Sequence, residues 1–185
     1  MSELQTKYQN AIKFAAKKHA DKNQLIPGTN LPYVVHLSNV AMEILIASQK
    51  TETFNTEFAI QVALLHDILE DTETTFDELV KEFGEEIAQA VLSLTKNSNI
   101  PKEKRMDDSL NRITELRKEV WAVKLADRIT NLQVPPKHWS FEKITEYQKQ
   151  AIQIHNSLKG GNEYLENRLW TKILDYLKYC VTATE

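Results

Sequence analysis

The chain has 185 residues, with 23 Lys and Arg against 26 Asp and Glu, and a formal net charge of −3. That length fits one domain, residues 1–185, with a real core, and the acidic balance argues against a dedicated nucleic-acid binder, which would carry a clear basic excess. At 42 % hydrophobic and 26 % charged it has the composition of a soluble globular protein, and no run approaches the ~18 apolar residues of a membrane span.

Four glycines and five prolines leave little material for turns and favour long helices. The lone Cys180 excludes an internal disulfide framework, suits a reducing cytosol, and reads as a small apolar side chain in the last helix. The N-terminal MSELQTKYQNAIKFAAKKH mixes charged and apolar residues and lacks the apolar run of a signal peptide, so a cytoplasmic location is expected.

In chain order, apolar spacing predicts a first helix from Leu4 to His19, with Tyr8, Ile12 and Ala15/Ala16 inward. Residues Ala20 to Pro32 form a loop, broken by Pro27-Gly28 and Pro32. A second helix runs from Tyr33 to Ser48 and a third, continuous, from Thr56 to Glu70. Thr74 and Thr75, with Asp77 and Glu78 three residues on, resemble a capping box for a helix from Phe76 to Phe83. Gly84 ends it, and Glu85 to Lys96 follows. Residues 97–108 are polar and predict a mobile loop. Ser109 to Leu132 is helical, in one piece or two, until Pro135-Pro136 stops it. Helices from Phe141 to Leu158 and from Asn162 to Tyr179 are separated by Gly160-Gly161. No segment reads as strand, so the fold class is all-α, a compact helical bundle.

The segment ALLHDILEDTETT (Ala63–Thr75) carries the chemistry. On a continuous helix His66 would neighbour Glu70, and Asp67 would neighbour Asp71. Four such groups near a buried face cost several kcal/mol unless a cation or a hydrogen-bond network compensates them. Two acids at a helix C-terminus also oppose the helix dipole. A metal-dependent hydrolase is the first expectation. His36 and Asp127 complete a donor set with His66 and Asp67, and two imidazoles with two carboxylates suit Mn²⁺ first, with Fe²⁺ or Zn²⁺ as alternatives. Singly, His36 reads as a helix-end histidine and Asp127 as an ion-pair partner of Arg128. In VKLADRITNL, Lys124, Asp127, Arg128 and Asn131 share one helix face, which can aim Arg128 or Asn131 at a phosphate or sugar. Lys124 by itself is more often a surface lysine.

These stretches, PYVVH (Pro32–His36), ALLHDILEDTETT, Phe83-Gly84, LTK (Leu94–Lys96) and VKLADRITNL (Val123–Leu132), resemble HD-domain phosphohydrolases. Within that superfamily the likeness is to the hydrolase domains of RelA/SpoT homologues and the small alarmone hydrolases. The resemblance implies that His36, His66, Asp67 and Asp127 ligate a metal, usually Mn²⁺. It implies that Glu70 and Asp71 position or deprotonate the attacking water, and that Asn131 contacts substrate. Arg128 would partner the acidic pair, and Tyr147 would lie near the nucleotide, although a core tyrosine fits the sequence equally. The implied substrate is a small phosphorylated nucleotide: pyrophosphate leaves the 3′ position of ppGpp or pppGpp, yielding GDP or GTP. The implied fold is a compact all-α HD-type domain.

The chain departs from that pattern where an Arg-Lys pair typically holds the guanine nucleotide, since Ile26-Pro27 stands there, and again in QVPPKHW (Gln133–Trp139). The first departure favours an alternative, hydrolysis of another nucleotide or phosphorylated metabolite. A third reading is a metal-stabilised binding module without turnover, against which Glu70 and Asp71 speak. Pro101 to Arg105 offers phosphate-binding cations or a solvated charge run. His19, His138 and His155 read as structural or surface residues, and Trp121, Trp139 and Trp170 as packing residues. Nothing in the sequence sets the oligomeric state.

Overall fold

Ala11, Ala15 and His19 recur at four-residue spacing, and small side chains on one face let two helix backbones approach closely. In the computed structural model, which describes residues 3–181, this face belongs to α1 (Glu3–Asp21) and packs on α3 (Thr56–Leu65). Seven of the ten α3 residues are buried, as befits a helix surrounded by others. Its start is set by Asn55, whose side-chain oxygen accepts from the Phe58 amide at 3.0 Å. Around α3 stand α2 (Val34–Ser48) and α8 (Lys118–Asn131), each in contact with it and with the other.

The remaining elements close this trio. After α4 (Ile68–Asp71), α5 (Phe76–Phe83) and α6 (Glu85–Leu94) pack together; Thr75 caps α5 by accepting from the Glu78 amide. Gly84, at φ +88°, serves as the last position of one helix and the first of the next. A 3-10 turn, Lys102–Lys104, leads into α7 (Arg105–Thr114), so the predicted loop 97–108 is helical four residues earlier than expected. Arg105 closes that loop by donating to the carbonyls of Ile100 and Ser98. A break at 115–117 separates α7 from α8. Then α9 (Phe141–Ser157) and α10 (Glu163–Tyr176) pack against each other and on α8, and the chain continues into the 3-10 turn Leu177–Tyr179.

The fold is all-α: the described residues contain no strand, only an isolated antiparallel bridge between Leu25 and Pro32 inside the 22–33 loop. Among the described residues, no helix is long and apolar enough to cross a membrane. The expected unit of 1–185 includes residues 1–2 and 182–185, which lie outside the described residues. One packing expectation changes: Trp170 is 42 % exposed, lying against the His155 ring. His19, of the two roles expected for it, takes the structural one, buried at 1 % exposure.

One ion pair ties α10 to α2. Arg168 donates from Nε and Nη2 to the two oxygens of buried Glu43, both at 2.6 Å. Removing the cation strands a buried carboxylate, so Arg168→Ala is expected to cost about 3 kcal/mol in urea unfolding. Replacing both residues by Met should recover most of that loss, because no charge is then left buried.

Candidate metal centre and catalytic cavity

The predicted continuous third helix does not form. α3 stops at Leu65, His66 and Asp67 make a turn with Asp67 at φ −102°, ψ 0°, and α4 restarts at Ile68. The His66 side chain explains the break. Its Nδ1–H donates to the Ala63 carbonyl at 2.8 Å, the acceptor that the Asp67 amide would use in an unbroken helix. The Asp67 carbonyl then starts the next turn, accepting from the amides of Glu70 and Asp71. Freed from helical geometry, the Asp67 carboxylate folds beside the imidazole it follows, with Oδ2 2.9 Å from His66 Nε2.

Two helices converge on that turn. α2 brings His36 and α8 brings Asp127, so that one ligand atom from each of His36, His66, Asp67 and Asp127 lies within 4.8 Å of every other. His36 Nε2 is 3.3 Å from His66 Nε2 and 3.4 Å from Asp127 Oδ1, which is 3.6 Å from His66 Nε2. Neighbouring ligands around one ion with bonds of ~2.1 Å sit about 3 Å apart, so the spacing fits a shared cation.

The tautomers fit as well. The His66 Nδ1 proton is held by a carbonyl, which can only accept. The Thr130 hydroxyl donates to the Asp127 carbonyl at 2.9 Å and so accepts from His36 Nδ1 at 3.4 Å. Both Nε2 atoms therefore turn lone pairs toward each other and toward two carboxylates. That arrangement is repulsive until a cation or proton enters, and outer hydrogen bonds of this kind orient metal-binding histidines. Burial opposes a charged His66, but Asp67 and Asp127 outweigh it and raise the imidazole well above its usual value. Burial likewise opposes ionisation of both carboxylates, yet His66 holds Asp67 down and Lys124, with both imidazoles, holds Asp127 down.

His36, Asp67 and Asp127 line a cavity of about 620 Å³, ample for a nucleotide, with His66 buried behind them. Glu70 and Asp71 line it, each already partnered. Lys96 Nζ donates to Glu70 at 2.6 Å, and its backbone amide donates to the other oxygen. Gln24 Nε2 donates to Asp71 Oδ2 at 2.7 Å. The implied pairing of Arg128 with these acids is not made. Arg128 is buried with its guanidinium 4.2 Å over the Tyr147 ring, and its Nε and Nη1 have no hydrogen-bond partner. Tertiary packing of α9 against α8 puts an aromatic face where the sequence suggested a carboxylate.

Lys124 is not the surface lysine its type suggests: its side chain is 11 % exposed and its Nζ is 3.5 Å from Asp127 Oδ2. Asn131 Nδ2 donates to Asp127 Oδ1 at 2.5 Å. Both line the cavity, as do Tyr147, the charged-loop residues Lys102 and Arg105, and the departure residues Ile26 and Pro27. The sequence reading passed over the supporting residues. Tyr33 donates its hydroxyl to Asp67, Thr130 orients His36, and Lys96 and Gln24 hold the acidic pair. The available signals were positional: Tyr33 lies in PYVVH, Thr130 in VKLADRITNL and Lys96 in LTK.

Comparison with known proteins agrees with this geometry. Residues 11–162 match the HD-domain family model. The guanosine-3′,5′-bis(diphosphate) 3′-pyrophosphohydrolase MESH1 of Danio rerio is 36 % identical over 169 residues, 89 % of this chain and 91 % of that protein. MESH1 of Homo sapiens is 34 % identical over 164 residues, covering 86 % and 88 %. Among solved structures, a metazoan orthologue of SpoT that hydrolyses ppGpp superposes with a TM-score of 0.78 at 27 % identity, covering 91 % of this chain and 94 % of that one.

Proposed function

We infer, because this chain belongs to the HD-domain family and is similar along most of its length to guanosine-3′,5′-bis(diphosphate) 3′-pyrophosphohydrolases, that it hydrolyses ppGpp to GDP and pyrophosphate. The observation that carries the reading is the convergence of His36, His66, Asp67 and Asp127 at the base of a nucleotide-sized cavity lined by three of them, by two further carboxylates and by several cations. The bond between the ribose 3′-oxygen and the adjacent phosphorus breaks, a water oxygen joins that phosphorus, and the 3′-oxygen takes up a proton.

Those four side chains would hold the divalent ion, Mn²⁺ in preference to Fe²⁺ or Zn²⁺, which would supply positive charge against the phosphoryl oxygens and acidify a water. Glu70 and Asp71 orient that water and accept its proton. Lys96 fixes Glu70 beside the cluster through its ammonium and its backbone amide. Arg128, backed by the Tyr147 face, lines the cavity as a phosphate-binding cation, and a guanidinium bonds phosphate at two points where lysine bonds at one. Lys124 and Asn131, already on Asp127, extend the polar surface toward the sugar and diphosphate. The working unit on this reading is residues 1–185 as one HD-type domain. It acts in the cytoplasm on a small phosphorylated nucleotide, with neither nucleic acid nor membrane as partner.

Ile26 and Pro27 in the cavity wall favour a second reading, another nucleotide or phosphorylated metabolite. Incubating metal-stripped protein with ppGpp, with and without Mn²⁺, and separating products by ion exchange distinguishes the two. GDP and pyrophosphate formed only with Mn²⁺ is the expected result. Metal uptake without ppGpp turnover transfers the assignment to the second reading.

A further inference from the structure

His19 lies at the last turn of α1, 1 % exposed, with its ring 4.8 Å from that of Tyr33. Its Nδ1 is 2.6 Å from Gln24 Oε1. An amide oxygen can only accept, so Nδ1 carries the proton and Nε2 is left as a bare acceptor, buried without a partner. Burial also lowers the affinity of this imidazole for a second proton. A histidine that only packed would gain nothing from this arrangement, since one nitrogen is sacrificed to keep the other bonded to Gln24.

That bond has a direction. By taking Gln24 Oε1, His19 turns the amide so that Nε2–H₂ faces the cavity, where it donates to Asp71 Oδ2 at 2.7 Å. The opposite amide rotamer would set oxygen against carboxylate oxygen, and with His19 in place that rotamer also loses its donor. The backbone braces the same unit: the Gln24 amide donates to the His19 carbonyl, and the Tyr33 amide donates to the Gln24 carbonyl. Tyr33 in turn donates its hydroxyl to Asp67. One short loop thus steers both a proposed metal ligand and a proposed water-handling carboxylate.

We propose that His19 and Gln24 are positioning residues for the hydrolysis, a two-step hydrogen-bond chain that aims the Asp71 carboxylate at the attacking water. This deepens the hydrolase reading and rests on it. Asp71 has particular need of such support. Gln24, at 2.7 Å, is the side chain among the described residues that donates to its carboxylate. Gln24 is the residue through which His19 acts, and neither side chain performs chemistry.

The test uses His19→Phe, which keeps a ring against Tyr33 but no donor, Gln24→Leu, and His19→Asn, whose amide N–H can stand in for Nδ1–H. With ppGpp and Mn²⁺, kcat is expected to fall about tenfold in the first two with KM held within about twofold, and to recover in the third. A readout without substrate accompanies it: carboxyl ¹³C NMR of Asp-labelled protein, with Asp71→Asn to assign the signal. The Asp71 titration should move upward in His19→Phe and Gln24→Leu and return in His19→Asn. An Asp71 signal that titrates as in the parent in both variants overturns the proposal, whatever happens to the rate. So does a rise in KM with kcat unchanged, which would make Gln24 a substrate contact. If the parent fails to turn over ppGpp while the Asp71 signal still shifts, the positioning chain stands and the substrate assignment falls.

Discussion

Replacing His66 with alanine is expected to abolish saturable binding of divalent metal and all metal-dependent turnover. His66 is the hub of the cluster. Its Nε2 lies within 3.6 Å of atoms from His36, Asp67 and Asp127, and its Nδ1 makes the bond that interrupts the helix. Alanine removes a ligand and also the reason for the turn that aims Asp67. In the parent, metal at about a hundredfold excess over its dissociation constant should add ~2.7 kcal/mol of stability through preferential binding to the folded state. In the variant that increment should vanish, read as a melting temperature indifferent to added Mn²⁺. Equal metal content in parent and variant by elemental analysis would sink the ligand assignment.

The same cluster sets the pH behaviour of the metal-free protein. Asp67 and Asp127 raise His66 above its unfolded value, so its contribution is full below about pH 6.5 and is lost as pH rises through the raised value. Asp67 and Asp127 are shifted the other way. Their contribution is present above about pH 4 and is lost as pH falls through their depressed values. Metal must displace the His66 proton, so its affinity should rise with pH, with proton release visible by calorimetry in buffers of different ionisation enthalpy.

Glu70→Gln and Asp71→Asn are each expected to lower kcat by about 10²- to 10⁴-fold while leaving metal content at the parental level. Neither carboxylate is among the four clustered donors, and each is held at the cavity wall by its own donor, Lys96 or Gln24. If both serve one water, the double variant should lose little more than the worse single one, since groups acting as a unit are not additive. Glu70→Gln also releases Lys96 from its ion pair, so its KM is expected to shift where that of Asp71→Asn does not. Parental kcat in both variants would remove these residues from the reaction and favour a binding module.

The helical class and most helix bounds were legible in the sequence because they follow from local features. The Phe76–Phe83 helix matches at both ends, set by Thr75 and by Gly84, whose positive φ suits a residue without a side chain. The third helix was misjudged at its end because nothing in ALLHDILED is a conventional helix breaker. The break comes from an imidazole competing for the Ala63 carbonyl. His19 reads as structural or surface in the sequence because its partner, Gln24, is reached only across the turn that leaves α1. Trp170 reads as a packing residue by its type, and the His155 ring of α9 covers it only partly on an outer face.

By itself the sequence determined an all-α chain and marked His36, His66, Asp67 and Asp127 as candidate donors, because hydrophobic period and ligand chemistry are properties of residue type and local order. The tertiary structure alone decided who touches whom. Arg128 meets Tyr147 and not the acids, Lys124 is buried against Asp127, Glu70 takes Lys96, and Asp71 is reached through Gln24 from His19. Most of those contacts join residues far apart in the chain, and the cavity they share exists only once α1, α2, α3 and α8 have packed together.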